Sequence, residues 1–159
     1  MPINDLHVIE INIAEATMAN VFTYGSLMCA DIMAAVCGEN STFENGVLAG
    51  YRRYAVRGED YPGVLPETCA KSAEVAGIVY RDVSDEGLRR LDVFEGDYYQ
   101  RRSVRVQLVD GEFIAAEAYI FRPQFRGLLA DWPWDFEHFL ASGKARFSGA
   151  YLGFQKLPS

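Results

Sequence analysis

Val104, Val106 and Leu108 alternate with Arg105 and Gln107, Asp110-Gly111 follows, and Phe113 to Phe121 returns with β-branched and aromatic content. Period-two alternation before an Asp-Gly pair, and a β-rich return after it, read as an antiparallel hairpin. Other runs carry the same signal. Val21 to Tyr24 is a short β-rich segment broken at Gly25, and Val47 to Val56 and Val75 to Tyr80 read as strands on either side of the Gly- and Pro-rich loop GEDYPGVLPET. Helical signals lie between and after them: Asp31 to Val36 closed by Gly38, Ser84 to Gly96, and the aromatic segment WPWDFEHFLASG after Pro133. The sum is an α+β protein whose small mixed, mostly antiparallel sheet curls into an open β-barrel with flanking helices. With 159 residues, half of them hydrophobic, the chain can build one domain with a real core.

The first 19 residues stand apart from that domain, which is expected to span 20–159. They hold Asp5, Glu10 and Glu15 and no Lys or Arg, so they lack the basic start of a signal peptide. We read them as a peripheral extension, with an added strand around Val8 to Ile13, or as residues preceding a natural start at Met18. No apolar run approaches membrane length. A net charge of -7 argues against nucleic acid and anionic membranes as partners, because both select clustered Lys and Arg. Cys29, Cys37 and Cys69 make an odd set without C-x-x-C spacing, which suggests neither a disulfide framework nor a zinc site and fits a reducing cytoplasm. His7 and His138 are the only histidines, leaving metal chemistry without ligands. A cofactor-free reaction is the simplest expectation.

Glu95 is the residue that points to chemistry. In SDEGLRRLDVFEG, Ser84 can cap a helix, Asp85 and Glu86 suit its first turn, and Gly96 can end it. At about 100° per residue, Leu88, Leu91 and Phe94 form the apolar stripe, and Glu95 falls on the same side. A carboxylate placed there loses water and meets the negative end of the helix dipole; both raise its pKa towards that of a general base. The alternative is a frayed helix end, with Glu95 turned outward to pair with Arg101 or Arg102.

A second candidate element is VFTYGSLMCA, where Gly25 and Ser26 end a strand ahead of a possible helix start. Unpaired N–H groups in such a turn can hold a carboxylate or an oxyanion. Tyr, Gly and Ser are also ordinary turn formers. Ser26 is a poor nucleophile candidate, since G-x-S-x-G is absent and no histidine follows nearby. A thiol nucleophile, Cys29 or Cys69 with His138, has no local feature that would lower its pKa.

Three pieces in order, Tyr24-Gly25-Ser26-Leu27, Leu91-Asp92-Val93-Phe94-Glu95 and Tyr99-Gln100-Arg101, resemble the gamma-glutamyl cyclotransferase-like family, in particular its plant avirulence-induced-gene-like branch and bacterial relatives. The resemblance runs from about Val21 to the tail, where DWPWDFEHF is also similar to that branch. It implies a barrel with a cavity, a Gly-Ser-Leu turn that binds the glutamyl group of a small gamma-glutamyl substrate, and a glutamate acid/base that releases 5-oxoproline. Carried onto this chain, Glu95 is the catalytic residue. The N–H groups of Ser26 and Leu27, with neighbours Met28 and Cys29, hold the substrate carboxylate or oxyanion. Tyr24 and Tyr99 are read either as site residues, Tyr24 lining the cavity and the Tyr99 hydroxyl orienting Glu95, or as packing residues only. The rival reading is a catalytically idle relative that binds a metabolite or a protein, since a fold can outlive its chemistry.

Overall fold

The computed structural model describes residues 18–151. Its strands are β1 (Met18–Thr23), β2 (Phe43–Ala49), β3 (Tyr51–Ala55), β4 (Pro62–Pro66), β5 (Glu74–Ser84), β6 (Tyr99–Leu108) and β7 (Phe113–Phe121). Its helices are α1 (Ala30–Cys37), α2 (Asp85–Glu95), α3 (Phe136–His138) and α4 (Lys144–Tyr151), the last two joined by a π turn over Phe139–Gly143. The possible strand at Val8 to Ile13 lies outside the described residues.

Five strands form the barrel in the order β1-β5-β2-β6-β7. Consecutive pairs in this order are antiparallel, and β7 returns to β1 in parallel with Glu117 opposite Val21. The expected barrel is present, and this contact closes it. Alternation assigns the two faces of each strand. Val79, Val106, Ala118 and Ile120 pack with Phe22 and Leu48 on one side; Val21, Tyr80, Tyr119 and Phe121 turn to the other, beneath the helices.

Three local features were not read from the sequence. The run Val47 to Val56 divides at Gly50, whose φ of 84° belongs to glycine's left-handed region, and the chain leaves the barrel there. It then enters a separate two-stranded ribbon, because the supposed Gly/Pro loop contains β4, antiparallel to β3. Prolines break sheet interiors, but Pro62 and Pro66 stand at the two ends of a ribbon strand. Finally, β5 continues past Tyr80 to Ser84 through a bulge: Ala19 faces Val83 while Val21 faces Tyr80, and Asp82 takes φ 54°. The extra residue flips the side-chain alternation, so Val83 joins the helix-side core although Val79 faces the other way.

Candidate active site

The helix that carries Glu95 is built as its sequence suggests. The Ser84 hydroxyl accepts from the Gly87 N–H, and Leu88 and Leu91 are buried with Phe94 packed against the same core. Gly96 ends the helix, its N–H donating to the Asp92 carbonyl. Glu95, the last residue of α2, is partly buried on this side. Its pKa is pushed up to about 8, and the cause is loss of water. The alternative pairing is not formed, because Arg101 is engaged by Asp92 at 2.9 Å and by Glu117 at 2.7 Å.

Opposite Glu95, the chain leaving β1 makes one 3-10 turn over Ser26–Met28. The Met28 N–H donates to the Gly25 carbonyl and the Cys29 N–H to that of Ser26, at 2.9 and 3.1 Å. These two amides are therefore spent inside the turn. Those of Ser26 and Leu27 have no acceptor among the described residues. Three tethers fix the turn from behind. The Tyr80 hydroxyl donates to the Leu27 carbonyl at 2.8 Å, Arg53 Nη1 to the Tyr24 carbonyl at 2.8 Å, and the Tyr24 hydroxyl to the Tyr119 carbonyl at 2.5 Å. Glycine is required at position 25 by its neighbour: a Cβ there would lie 2.7 Å from Cδ of Pro62.

Glu95 and this turn share two adjoining hollows. The outer one, about 330 Å³, is walled by Ser26, Tyr61, Phe94, Glu95, Tyr99 and Tyr151, among others. The inner one, about 30 Å³, adds Tyr24, Gly25, Leu27, Pro62 and Tyr119. Tyr61 comes from the Gly/Pro segment, and Phe147 and Tyr151 from α4; they stack edge to face in a continuous wall with Phe94, with centroids 5.9 to 6.3 Å apart. That segment and the aromatic C-terminal helix thus frame the mouth. Burial holds the hydroxyls of Tyr24 and Tyr99 far above their usual pKa, with the Glu95 carboxylate adding to it for Tyr24, and Tyr24 and then Glu95 for Tyr99.

Of the residues read from the sequence, Tyr24, Gly25, Ser26, Leu27 and Tyr99 gather around Glu95. Met28 and Cys29 do not. Met28 lines a separate groove with Asn45, Gly46 and Gln107, and Cys29 is buried in the core at the start of α1. The Tyr99 hydroxyl donates to the Pro62 carbonyl at 2.6 Å rather than to Glu95. The thiol alternative has no site: burial raises the Cys29 pKa, Cys69 is exposed, and the exposed His138 sits against Ser142. Tyr61, Pro62, Tyr119 and Tyr151 were missed; each is a common strand, loop or helix residue whose approach to Glu95 depends on tertiary packing alone. Among the described residues no group of three or more His, Cys, Asp or Glu side chains could hold a metal, and no helix is long and apolar enough to cross a membrane.

The fold and the sequence have relatives among known proteins. Residues 21–136 match the family model described as gamma-glutamyl cyclotransferase, AIG2-like. AIG2-like protein D of Arabidopsis thaliana is 33% identical over 127 residues, covering 76% of this chain and 78% of its own length. A Methanocaldococcus jannaschii protein provisionally named a gamma-glutamylcyclotransferase is 30% identical over 118 residues, 72% of this chain and 92% of its own. A solution structure from Arabidopsis thaliana superposes with a TM-score of 0.62 at 29% identity, covering 86% of this chain and 81% of that one.

Proposed function

The chain belongs to the AIG2-like gamma-glutamyl cyclotransferase family, and from that premise we propose that it releases 5-oxoproline from a gamma-glutamyl amine or amino acid, with Glu95 as general acid/base. One observation carries the reading: a carboxyl with a pKa of about 8 and a turn with unpaired amides open onto one cavity.

The reaction needs little more. In a gamma-glutamyl amide the α-amine can close a five-membered ring on its own γ-carbonyl, so folding the substrate supplies most of the approach. The attacking nitrogen starts as an ammonium and ends as a lactam N–H, shedding two protons. The departing nitrogen gains two and leaves as an ammonium. A single carboxyl between them can take each proton and return it, and a pKa near 8 suits both directions close to neutral pH. In this reading the N–H groups of Ser26 and Leu27, two residues that line the inner hollow, take the carbonyl oxygen as it gathers charge, or the substrate carboxylate. The Tyr24, Tyr99 and Tyr61 rings wall the cavity and limit the water around Glu95, which keeps its proton affinity high.

Glu95→Gln removes the proton carrier at nearly constant volume. The expected result is loss of 5-oxoproline release by at least about 100-fold across a panel of gamma-glutamyl amides, with an unchanged circular dichroism spectrum. Turnover retained in this variant would refute the assignment. Silence of the parent protein across the panel, with ligand binding kept, would favour the idle binder.

A further inference from the structure

We propose that Tyr119 is a positioning residue that couples the two halves of the site, its hydroxyl holding the Glu95 helix through Asp92 and its carbonyl holding the Gly25-Ser26 turn through Tyr24. The proposal rests on the reading of Glu95 as the proton carrier and adds the device that sets its distance from the turn.

Asp92 lies three residues before Glu95, in the last turn of α2. Its Oδ1 accepts from the Tyr119 hydroxyl at 2.6 Å and from Arg101 Nε at 2.9 Å, and Arg101 Nη2 reaches Oδ2 at 3.3 Å. Arg101 and Tyr119 are directly paired across β6 and β7, so the acceptor is gripped by two neighbours on one barrel face. Arg101 is braced in turn by Glu117 at 2.7 Å. On its other side, the Tyr119 carbonyl accepts the Tyr24 hydroxyl, one residue before Gly25, and Tyr119 itself lines the inner hollow with Glu95. One residue of β7 therefore touches both halves.

The need for such a device follows from where Glu95 sits. A last helical residue frays unless something outside the helix fixes its turn. Leu88, Leu91 and Phe94 pack the helix against the core, and the Asp92 contacts add a polar tether from β6 and β7 to its last turn, beside Glu95. The Tyr119 hydroxyl meets Asp92 at a hollow shared with Arg101, Glu117 and Arg122, so loss of either partner breaks the tether and opens this side of α2 to water.

The test separates positioning from mere stability. Tyr119→Phe keeps the ring and removes the hydroxyl; Asp92→Ala removes its acceptor; Asp92→Asn keeps an amide oxygen that can accept from both donors. Two measurements are made on each: the titration of the Glu95 carboxyl by 13C NMR, and kcat and KM for 5-oxoproline release. Tyr119→Phe and Asp92→Ala are expected to lower the Glu95 pKa by about one pH unit as water enters, and to lower kcat by about 10- to 100-fold with a smaller change in KM. The double variant should be no worse than either single one, and Asp92→Asn should recover most of both losses. If melting temperature falls while the Glu95 titration and kcat stay at parental values, the pair is only structural and the proposal is overturned. If the parent releases no 5-oxoproline, the functional reading fails, and the titration alone decides whether Tyr119 positions Glu95.

Discussion

At the residue scale, the sequence exposed Glu95 and the Gly25-Ser26 turn because each breaks a local rule: an acid on an apolar stripe, and a glycine ending a strand. Tyr119 and Tyr61 break none, so nothing in the sequence set them apart from core aromatics. Local reasoning also gave Gly25 a reason that the structure replaces. A glycine in such a turn can let a ligand approach the main chain, yet the empty side of Gly25 is occupied by the Pro62 ring, with Cδ and Cγ 2.7 and 2.8 Å from where a Cβ would stand. The proline is held at the end of β4, and its carbonyl is fixed by the Tyr99 hydroxyl, so it cannot yield like the tip of a flexible side chain. Gly25→Ala is therefore expected to cost about 1–3 kcal/mol, read as a lowered urea midpoint at constant slope. An unchanged midpoint would mean that the Pro62 ring gives way.

At the element scale, α2 was legible from end to end, since its cap, stripe and terminating glycine are all local signals. The β3–β4 ribbon was not. Two prolines and two glycines in GEDYPGVLPET read as a loop, and only pairing with β3 reveals a strand. The β5 bulge was hidden for a similar reason: Arg81-Asp82 interrupts the apolar pattern, and period-two reading stops where the register shifts. The α2 cap also does more than its sequence implies. Ser84 Oγ accepts from the Gly87 N–H at 3.0 Å and donates to Glu39 at 2.5 Å, tying the start of the helix to the segment that follows α1. Ser84→Ala removes both bonds. The expected loss is about 1–2 kcal/mol, measured by thermal or urea unfolding, and Ser84→Asp should recover the cap but not the Glu39 bond, because two carboxylates would then face each other.

At the scale of the whole molecule, the site is where four separate pieces meet: the barrel, the β3–β4 ribbon, α2 and the C-terminal helical segment. Burying an acid and several phenols at that junction makes global stability depend on pH in a definite direction. Glu95 binds its proton more tightly folded, at a pKa of about 8, than at its ordinary value of 4.5. Between those values the folded state holds more protons than the unfolded one, so stability is full in mild acid and falls as pH rises through this window. The partial exposure of Glu95 discounts the effect to roughly 1–3 kcal/mol. Tyr24 and Tyr99, raised well above 10.0, act in the same sense at higher pH: the unfolded phenols ionise first, and stability falls again beyond their ordinary value. The melting temperature should therefore decline in two stages, one across neutrality and one above pH 10. Glu95→Gln should abolish the first stage, leaving the variant more stable than the parent at pH 9 and similar to it at pH 5, while the second stage remains. A variant that melts in parallel with the parent from pH 5 to 9 would mean that Glu95 titrates as an ordinary solvated carboxylate, and the acid/base role would lose its physical basis with it.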